Sequence, residues 1–245
     1  MNRIQLHSMT ELVQLTENVW MYPPAPNKVD IRPAIGVVMS SSQTLLYDAG
    51  NSPRHARQVI DALQKLNAPP VRYVVYSHAH WDHLFGAQAL VEEYGEMLEI
   101  VAHECCNEML TAYAAKPWGL DYVRRVQQER PAVRGAYQLL EKLIDNWDHF
   151  RIEMPTVIFD TTIETLHLGD GIDVELEWVG GEHSADSTVL RVPGDSVMFL
   201  SDSFYPPASV PGAKSDQAMM QRFLAEKQKV YIDGHNGRIW TGEKK

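Results

Sequence analysis

Apolar and polar positions alternate along this chain in two rhythms, one of strands and one of helices. Residues 12 to 22, Ile35 to Met39 and Thr44 to Tyr47 have the short, β-branched and apolar character of strands, the last two separated by the turn formers Ser40-Ser41-Ser42-Gln43. Ser52-Pro53 then opens a helix, because serine caps a first turn and proline fits inside it. Its apolar positions Ala56, Val59, Ile60, Leu63 and Leu66 fall at helical spacing until Pro69-Pro70 stops the pattern. Tyr73-Val74-Val75-Tyr76 reads as a buried strand and Leu84-Phe85-Gly86-Ala87 as helix, so the residues between them form a strand-to-helix turn, with Asp82 and His83 at the start of the helix. Glu99 to Ala102 is another strand. From about 104 to 150 the chain is rich in helix formers, broken at Lys116-Pro117-Trp118-Gly119 and at Pro131, which predicts two or three helices. Residues 152 to 179 return to strands, with Gly169-Asp170-Gly171 as a hairpin signal.

The end of the chain repeats this order. Val197 to Leu200, Asp202, a proline-rich loop, a helix from about Asp216 to Lys227, Val230 to Ile232 and His235 read as strand, acid, helix, strand, histidine. Thr44 to Tyr47, Asp48, the helix after Ser52, Tyr73 to Tyr76 and the histidines beyond them read the same way. Two similar α/β halves whose strand ends converge on one site predict an αββα sandwich, although the periodicity alone admits other layered α/β folds.

At 245 residues and 44% hydrophobic content the chain can bury a large core. A single domain over 1–245 is expected, with a helical insertion at about 104–150. A formal charge of -10 argues against nucleic acid, whose backbone needs clustered lysine and arginine. Met1 to Tyr22 has no leader pattern and no run approaches about 20 apolar residues, so a cytoplasmic protein without a membrane partner is expected. The pattern leaves the oligomeric state open. Cys105 and Cys106 are adjacent, so they cannot form an ordinary disulfide with each other and are expected as buried reduced thiols in a helix.

The chemistry is concentrated in Ser77-His78-Ala79-His80-Trp81-Asp82-His83, which packs imidazoles and a carboxylate into one loop. Neutral imidazoles and carboxylates suit zinc or a similar first-row metal, and their crowding suggests two ions. Burying so many polar groups without a ligand is unfavourable.

His-Ala-His-Trp-Asp-His resembles the H-x-H-x-D-H signature of the metallo-β-lactamase superfamily, and further matches follow in order. Gly181-Glu182-His183-Ser184 is similar to the family's G-H-[ST] loop, with Glu182 beside the histidine. Asp202 stands after the run Val197 to Leu200, where the family keeps a bridging aspartate. Gly234-His235 is similar to its final G-H, and Asp48-Ala49-Gly50 to its D-[TS]-G turn. The resemblance spans about residues 35 to 236 and implies a four-layer αββα sandwich in the α/β class.

The resemblance also implies a ligand set. His78, His80 and His183 would hold one divalent metal, Asp82, His83 and His235 the other, and Asp202 would bridge them. Zinc is the first expectation, with iron and manganese as alternatives. A hydroxide bridging the ions would cleave the carbonyl of an ester, thioester, lactone or lactam in a small-molecule substrate. Many two-zinc β-lactamases carry cysteine at the bridging position; aspartate there resembles the esterase-, thioesterase- and lactonase-like branches. Asp202-Ser203-Phe204-Tyr205 is similar to the D-x-x-Y of the lactonase branch, which makes Tyr205 a candidate donor to the substrate carbonyl and, with Asp82, a candidate catalytic residue. The alternative for Tyr205 is a packed loop tyrosine.

Weaker candidates surround this set. Asp48 is read either as a residue that orients a ligand or as simple turn chemistry. Asp186 is read as fixing the His183 loop, and His103 as a hydrogen-bonded core or edge histidine. His7, His55, His149 and His167 are read as surface or structural. The aromatics Tyr113, Trp118, Tyr122, Tyr137, Trp147 and Phe150 either wall a substrate pocket or pack the insertion onto the sandwich, and packing is preferred. The competing function is a mononuclear iron oxygenase of the persulfide-dioxygenase kind, which keeps the same ligands but uses only the three-histidine metal. A third possibility is a sensor that retained the metals without catalysis.

Overall fold

The computed structural model describes residues 11–27, 29–207, 210, 212–237 and 239–240; His7 and the first ten residues of the stretch read for a leader lie outside the described residues. The first sheet contains, in spatial order, β1 (Val13–Gln14), β2 (Val19–Tyr22), β3 (Ile35–Met39), β4 (Thr44–Tyr47), β5 (Val71–Val75), β6 (Glu99–His103) and β7 (Val157–Phe159). The second runs from β8 (Ile163–His167) through β9 (Asp173–Trp178), β10 (Thr188–Val192), β11 (Val197–Ser201) and β12 (Val230–Asp233) to β13 (Ile239–Trp240). The helices are α1 (Pro53–Lys65), α2 (Trp81–Leu84), α3 (Ala87–Tyr94), α4 (Glu104–Ala114), α5 (Leu120–Glu129), α6 (Arg134–Leu143) and α7 (Gln217–Ala225).

Three apolar layers separate four layers of secondary structure. Leu46, Val74 and Ile100 of the first sheet meet Val59 and Leu63 of α1, Leu90 of α3, Leu110 of α4 and Val123 of α5. Leu45 and Val75 point the other way, toward Leu176, Leu190, Phe199 and Ile232 of the second sheet. Met198, Leu200 and Tyr231 pack outward on Met220 and Phe223 of α7. Consecutive strand residues serve opposite layers because side chains alternate across a sheet, and strands covered on both faces become continuously apolar. Each fully buried Leu, Val or Phe contributes about 1.5–3 kcal/mol relative to exposure. The αββα sandwich expected from the sequence is therefore the observed architecture.

Two local expectations are corrected. The stretch from 12 to 22 is a hairpin rather than one strand: the N–H groups of Leu15 and Thr16 both donate to the Val19 carbonyl, at 2.9 and 3.1 Å, and Val13 pairs with Met21. Helix α1 has the expected Ser52 cap, whose Oγ accepts from the His55 N–H at 3.2 Å. It ends before the prolines, because Asn67 adopts a left-handed backbone at φ 50°.

The site is placed by two parallel strand pairs, β4 with β5 and β11 with β12. Three contacts tie the two sheets together where these strands end. Tyr47 Oη donates to the Thr188 carbonyl at 2.6 Å, Thr188 N–H to the Ser77 carbonyl at 2.8 Å, and Ala34 N–H to the Gly234 carbonyl at 2.7 Å. In the segment from 104 to 150 the aromatics gather on Phe85, whose ring centre lies 6.0 Å from Tyr113, 5.1 Å from Trp118 and 4.8 Å from Phe150. That gathering serves packing against the first sheet. Cys105 and Cys106 both lie in α4, where Cys106 is buried as expected and Cys105 only half-buried. No helix among the described residues is long and apolar enough to cross a membrane.

Candidate metal centre

Loops at the ends of β5, β9, β11 and β12 bring the seven predicted ligand side chains into one buried place. His78 Nε2 lies 3.0 Å from His80 Nδ1, and His183 Nε2 lies 3.2 Å from the same atom. Asp82, His83 and His235 form a second group, with His235 Nε2 3.1 Å and His83 Nε2 3.5 Å from Asp82 Oδ2. Asp202 belongs to both groups: its Oδ2 is 3.5 Å from His183 Nε2, 3.5 Å from His83 Nε2 and 3.3 Å from His235 Nε2.

Donor spacing and proton placement test whether cations fit. Tetrahedral zinc with bonds of about 2.0–2.1 Å holds neighbouring nitrogens roughly 3.3 Å apart, close to the spacing in the first group. The rings of that group are oriented from behind. His78 Nδ1 lies 2.9 Å from Ser77 Oγ, and His183 Nδ1 lies 3.0 Å from the Pro206 carbonyl. Ser77 Oγ donates to Asp48 and so accepts from His78, and a carbonyl can only accept. Both Nδ1 atoms therefore carry the hydrogen, which leaves two Nε2 lone pairs converging. In the second group His83 Nε2 and Asp202 Oδ1 are buried without a hydrogen-bond partner. Converging lone pairs and unmatched buried acceptors suit a cation, as does a donor set of imidazoles and carboxylates.

Electrostatics separates the two groups. Burial, with the like charges of His83 and His80, holds His78 well below the usual histidine range, and burial lowers His80 against the opposing pull of Asp82. Burial also works against charge on Asp202 and Asp82, yet His83 and His235 keep both carboxyls below their ordinary range. Burial likewise opposes charge on His83, but Asp48, Asp202 and Asp82 push it well above the ordinary value. Asp202 and Asp82 push His235 up to about 9 against its burial. In the first group His78 and His80 are thus held as neutral donors, and the second concentrates positive charge beside two carboxylates, where a metal would displace protons.

Asp48 organises the rear of the site. It accepts from the Ser77 N–H at 2.9 Å, Ser77 Oγ at 3.0 Å, Ser201 Oγ at 3.2 Å and His83 Nδ1 at 2.7 Å. His83 is thereby held with Nδ1 protonated and Nε2 toward Asp202. Asp186 reaches farther than its own turn: Oδ2 accepts from the Ala79 N–H at 2.7 Å, and Oδ1 accepts from Ser184 Oγ. It ties the loop of His78 and His80 to the loop of His183.

Tyr205 is held by the loop around it. Its hydroxyl donates to Asp233 Oδ1 at 3.1 Å and accepts from Asn236 Nδ2 at 2.6 Å and the His235 N–H at 3.3 Å. The hydroxyl thus bonds within the loop of His235, and the side chain supports the backbone of His235. His103 caps α4 by accepting from the Cys105 N–H at 3.2 Å and stacks on Trp178, consistent with the core role expected. His55 is buried beneath α1, while His167 is exposed and paired with Asp173. Sequence reasoning missed Ser77, Ser201 and the Pro206 carbonyl. Only Ser77 carried a signal, as the neighbour of His78.

The profile of the metallo-beta-lactamase superfamily matches residues 33–235. An (R)-specific secondary-alkylsulfatase from Pseudomonas sp is 23% identical over 263 residues, covering 97% of this chain and 39% of that protein. The chain thus spans about two fifths of that curated relative's length. Among solved structures, a metallo-beta-lactamase from Pontibacter korlensis superposes with a TM-score of 0.63 at 19% identity, covering 95% of this chain and 93% of the other. The inverting sec-alkylsulfatase Pisa1 from Pseudomonas sp. gives 0.64 at 18% identity, covering 95% of this chain and 39% of its own. With its profile matched over most of its length and its fold shared with these proteins, the chain belongs to the metallo-beta-lactamase superfamily.

Proposed function

We propose that the protein is a hydrolase that works with two divalent cations, zinc first among them, and cleaves an ester, thioester, lactone or lactam of a small molecule. His78, His80 and His183 would hold one cation, Asp82, His83 and His235 the other, and Asp202 would serve both. The observation that carries this reading is Asp202 Oδ2, which stands 3.3–3.5 Å from imidazole nitrogens of both groups. When bound, such cations supply Lewis acidity and a nucleophile drawn from water at neutral pH. The residues supply orientation: Ser77 and the Pro206 carbonyl set the tautomers of His78 and His183, and Asp48 sets that of His83. Asp202 and Asp82 bring the negative charge that lets two cations approach each other.

A second substrate reading comes from the alkylsulfatase relatives, which favour a sulfate ester in place of a carboxylic one. Metal analysis after reconstitution, followed by assays of 4-nitrophenyl acetate, γ-butyrolactone, a thioester, nitrocefin and decyl sulfate, separates these outcomes. Two metal equivalents and turnover of a carbonyl substrate are expected. Turnover of decyl sulfate alone would move the chain to the sulfatase reading. One iron per chain with sulfur-dependent oxygen uptake would overturn hydrolysis.

A further inference from the structure

We propose that Arg32 forms an anion-binding subsite beside the metal centre, so that the substrate carries, apart from the bond to be broken, an oxyanion group presenting two oxygens to this guanidinium. The inference deepens the hydrolase reading and rests on it. A cavity of about 260 Å³ adjoins the site, with Ala25, Ile31 and Arg32 on one wall and Tyr205, His235 and Asn236 on the other. Its volume is at the small-molecule scale. Through His235 it borders the second ligand group directly.

The guanidinium in this wall is chemically unmatched. Nε and Nη2 of Arg32 are buried without a hydrogen-bond partner, and no carboxylate lies within 4.0 Å of the group, among the described residues. The nearby Asp30 accepts instead from Asn27 Nδ2 at 3.0 Å. Nε and Nη2 form one edge of the planar guanidinium, the edge that grips an oxyanion through two parallel N–H···O bonds. Arg32 Cζ stands 5.8 Å over the centre of the Tyr22 ring, a cation–π contact that supplies no hydrogen-bond acceptor. A charged donor edge removed from water and left unpaired is unfavourable, and an incoming anion would match it.

The backbone around Arg32 is held in place. Asn51, itself buried, donates from Nδ2 to the Ile31 carbonyl at 2.8 Å and the Asp30 carbonyl at 3.3 Å. Ala25 N–H donates to the Arg32 carbonyl at 2.9 Å, and Ala34 N–H ties the same loop to Gly234, next to His235. In a chain of net charge -10, a pinned cation without a partner beside the reaction centre selects for charge in what enters.

The test compares the metal-loaded wild type with Arg32→Met and Arg32→Lys on two esters of similar size, 4-nitrophenyl hemisuccinate and 4-nitrophenyl butyrate. Wild type should favour the anionic ester. Arg32→Met should lower the hemisuccinate-to-butyrate ratio of kcat/KM about tenfold, through KM rather than kcat. Arg32→Lys should restore part of the ratio, because an ammonium is a point charge without the paired edge. A purely structural arginine would lower stability and leave the ratio unmoved.

Calorimetric titration of metal-free protein with monomethyl succinate and with methanesulfonate gives a readout independent of turnover. Saturable binding that Arg32→Met abolishes is expected, and the tighter of the two ligands tells a carboxylate from a sulfo group. Binding that persists in Arg32→Met, or no saturable binding of either anion to wild type, overturns the subsite. If neither ester is hydrolysed the ester branch of the carbonyl-hydrolase reading fails, while the titration still decides the role of Arg32.

Discussion

The segments β4–α1–β5 and β11–α7–β12 have the same topology, yet their acids do different work. Asp48 follows Tyr47, which pairs with Val75, and Asp202 follows Ser201, which pairs with Asp233, so the two aspartates stand at matching strand ends. In the first half the left-handed residue is the acid itself, Asp48 at φ 71°; in the second it is the residue before, Ser201 at φ 46°. A one-residue shift of that backbone turn redirects the carboxylate. Asp48 is used up by Ser77, Ser201 and His83 behind the site, whereas Asp202 turns Oδ2 to His83, His183 and His235 and leaves Oδ1 unpartnered. The neighbouring strand permits this, because a Cβ at Gly234 would come within 2.1 Å of Asp202 Oδ1. In similar halves one acid thus braces an imidazole of the site from behind, while the other faces the converging nitrogens.

The sharpest way to break this contrast is Asp202→Ala. Activity should fall by at least about 100-fold, beyond the 10–100-fold range of residues that only orient a ligand. Metal content measured by emission spectrometry should drop by about one equivalent, with the far-UV spectrum kept. Retention of both equivalents would remove the distinction. Asp48→Ala should act more mildly, weakening metal affinity about 10–100-fold while saturating metal restores full occupancy; a permanent loss of one equivalent would make the two acids alike.

His183 belongs to neither half and depends on Asp186. Asp186→Ala should lower stability by about 1–3 kcal/mol in urea unfolding, because the buried Ala79 N–H loses its acceptor. No change would mean that water replaces the carboxylate. The smallest effect separates the two helices. His55 and Met219 both donate their N–H groups to the caps of α1 and α7, but only α1 carries an imidazole at this position. Burial, then the positive charges of Arg32 and His83, lowers His55 to about 3. The unfolded chain takes up its proton near 6.5, so this contribution is present above that pH and is lost as pH falls toward 3. His55→Leu should therefore reduce the loss of stability between pH 6.5 and 5.5 by about 1 kcal/mol, measured on metal-free protein. An unchanged acid limb would show that His55 is not kept neutral by the fold.

Much of this arrangement was legible in the chain. The strand, acid, helix, strand and histidine order located both halves, and the spacing of His78, His80, Asp82 and His83 located the loop where side chains converge. The hairpin at Val13 to Tyr22 was hidden, since Leu15 is apolar and masks the turn that Thr16-Glu17-Asn18 makes. Tyr205 stood at a position similar to a family motif, but its neighbours Asp233 and Asn236, which claim the hydroxyl, arrive from another strand end. Arg32 had no signal at all, because an unpaired guanidinium looks like any other arginine until its surroundings are known.

By itself the sequence determined the strands and helices and the crowded loop of His78, His80, Asp82 and His83, because these follow from near-neighbour rules: alternation along a strand, spacing along a helix, and the few residue types that can hold a cation; His183, Asp202 and His235 were picked out through the resemblance to a family. The tertiary structure decided which nitrogen of each imidazole faces inward, which aspartate stands behind the ligands, and which charge is left without a partner. Those outcomes depend on groups brought together from far apart, as Ser77 Oγ is brought to 2.9 Å from Ser201 Oγ across 124 residues. No periodicity along the chain carries that information; only the meeting of the two sheets does.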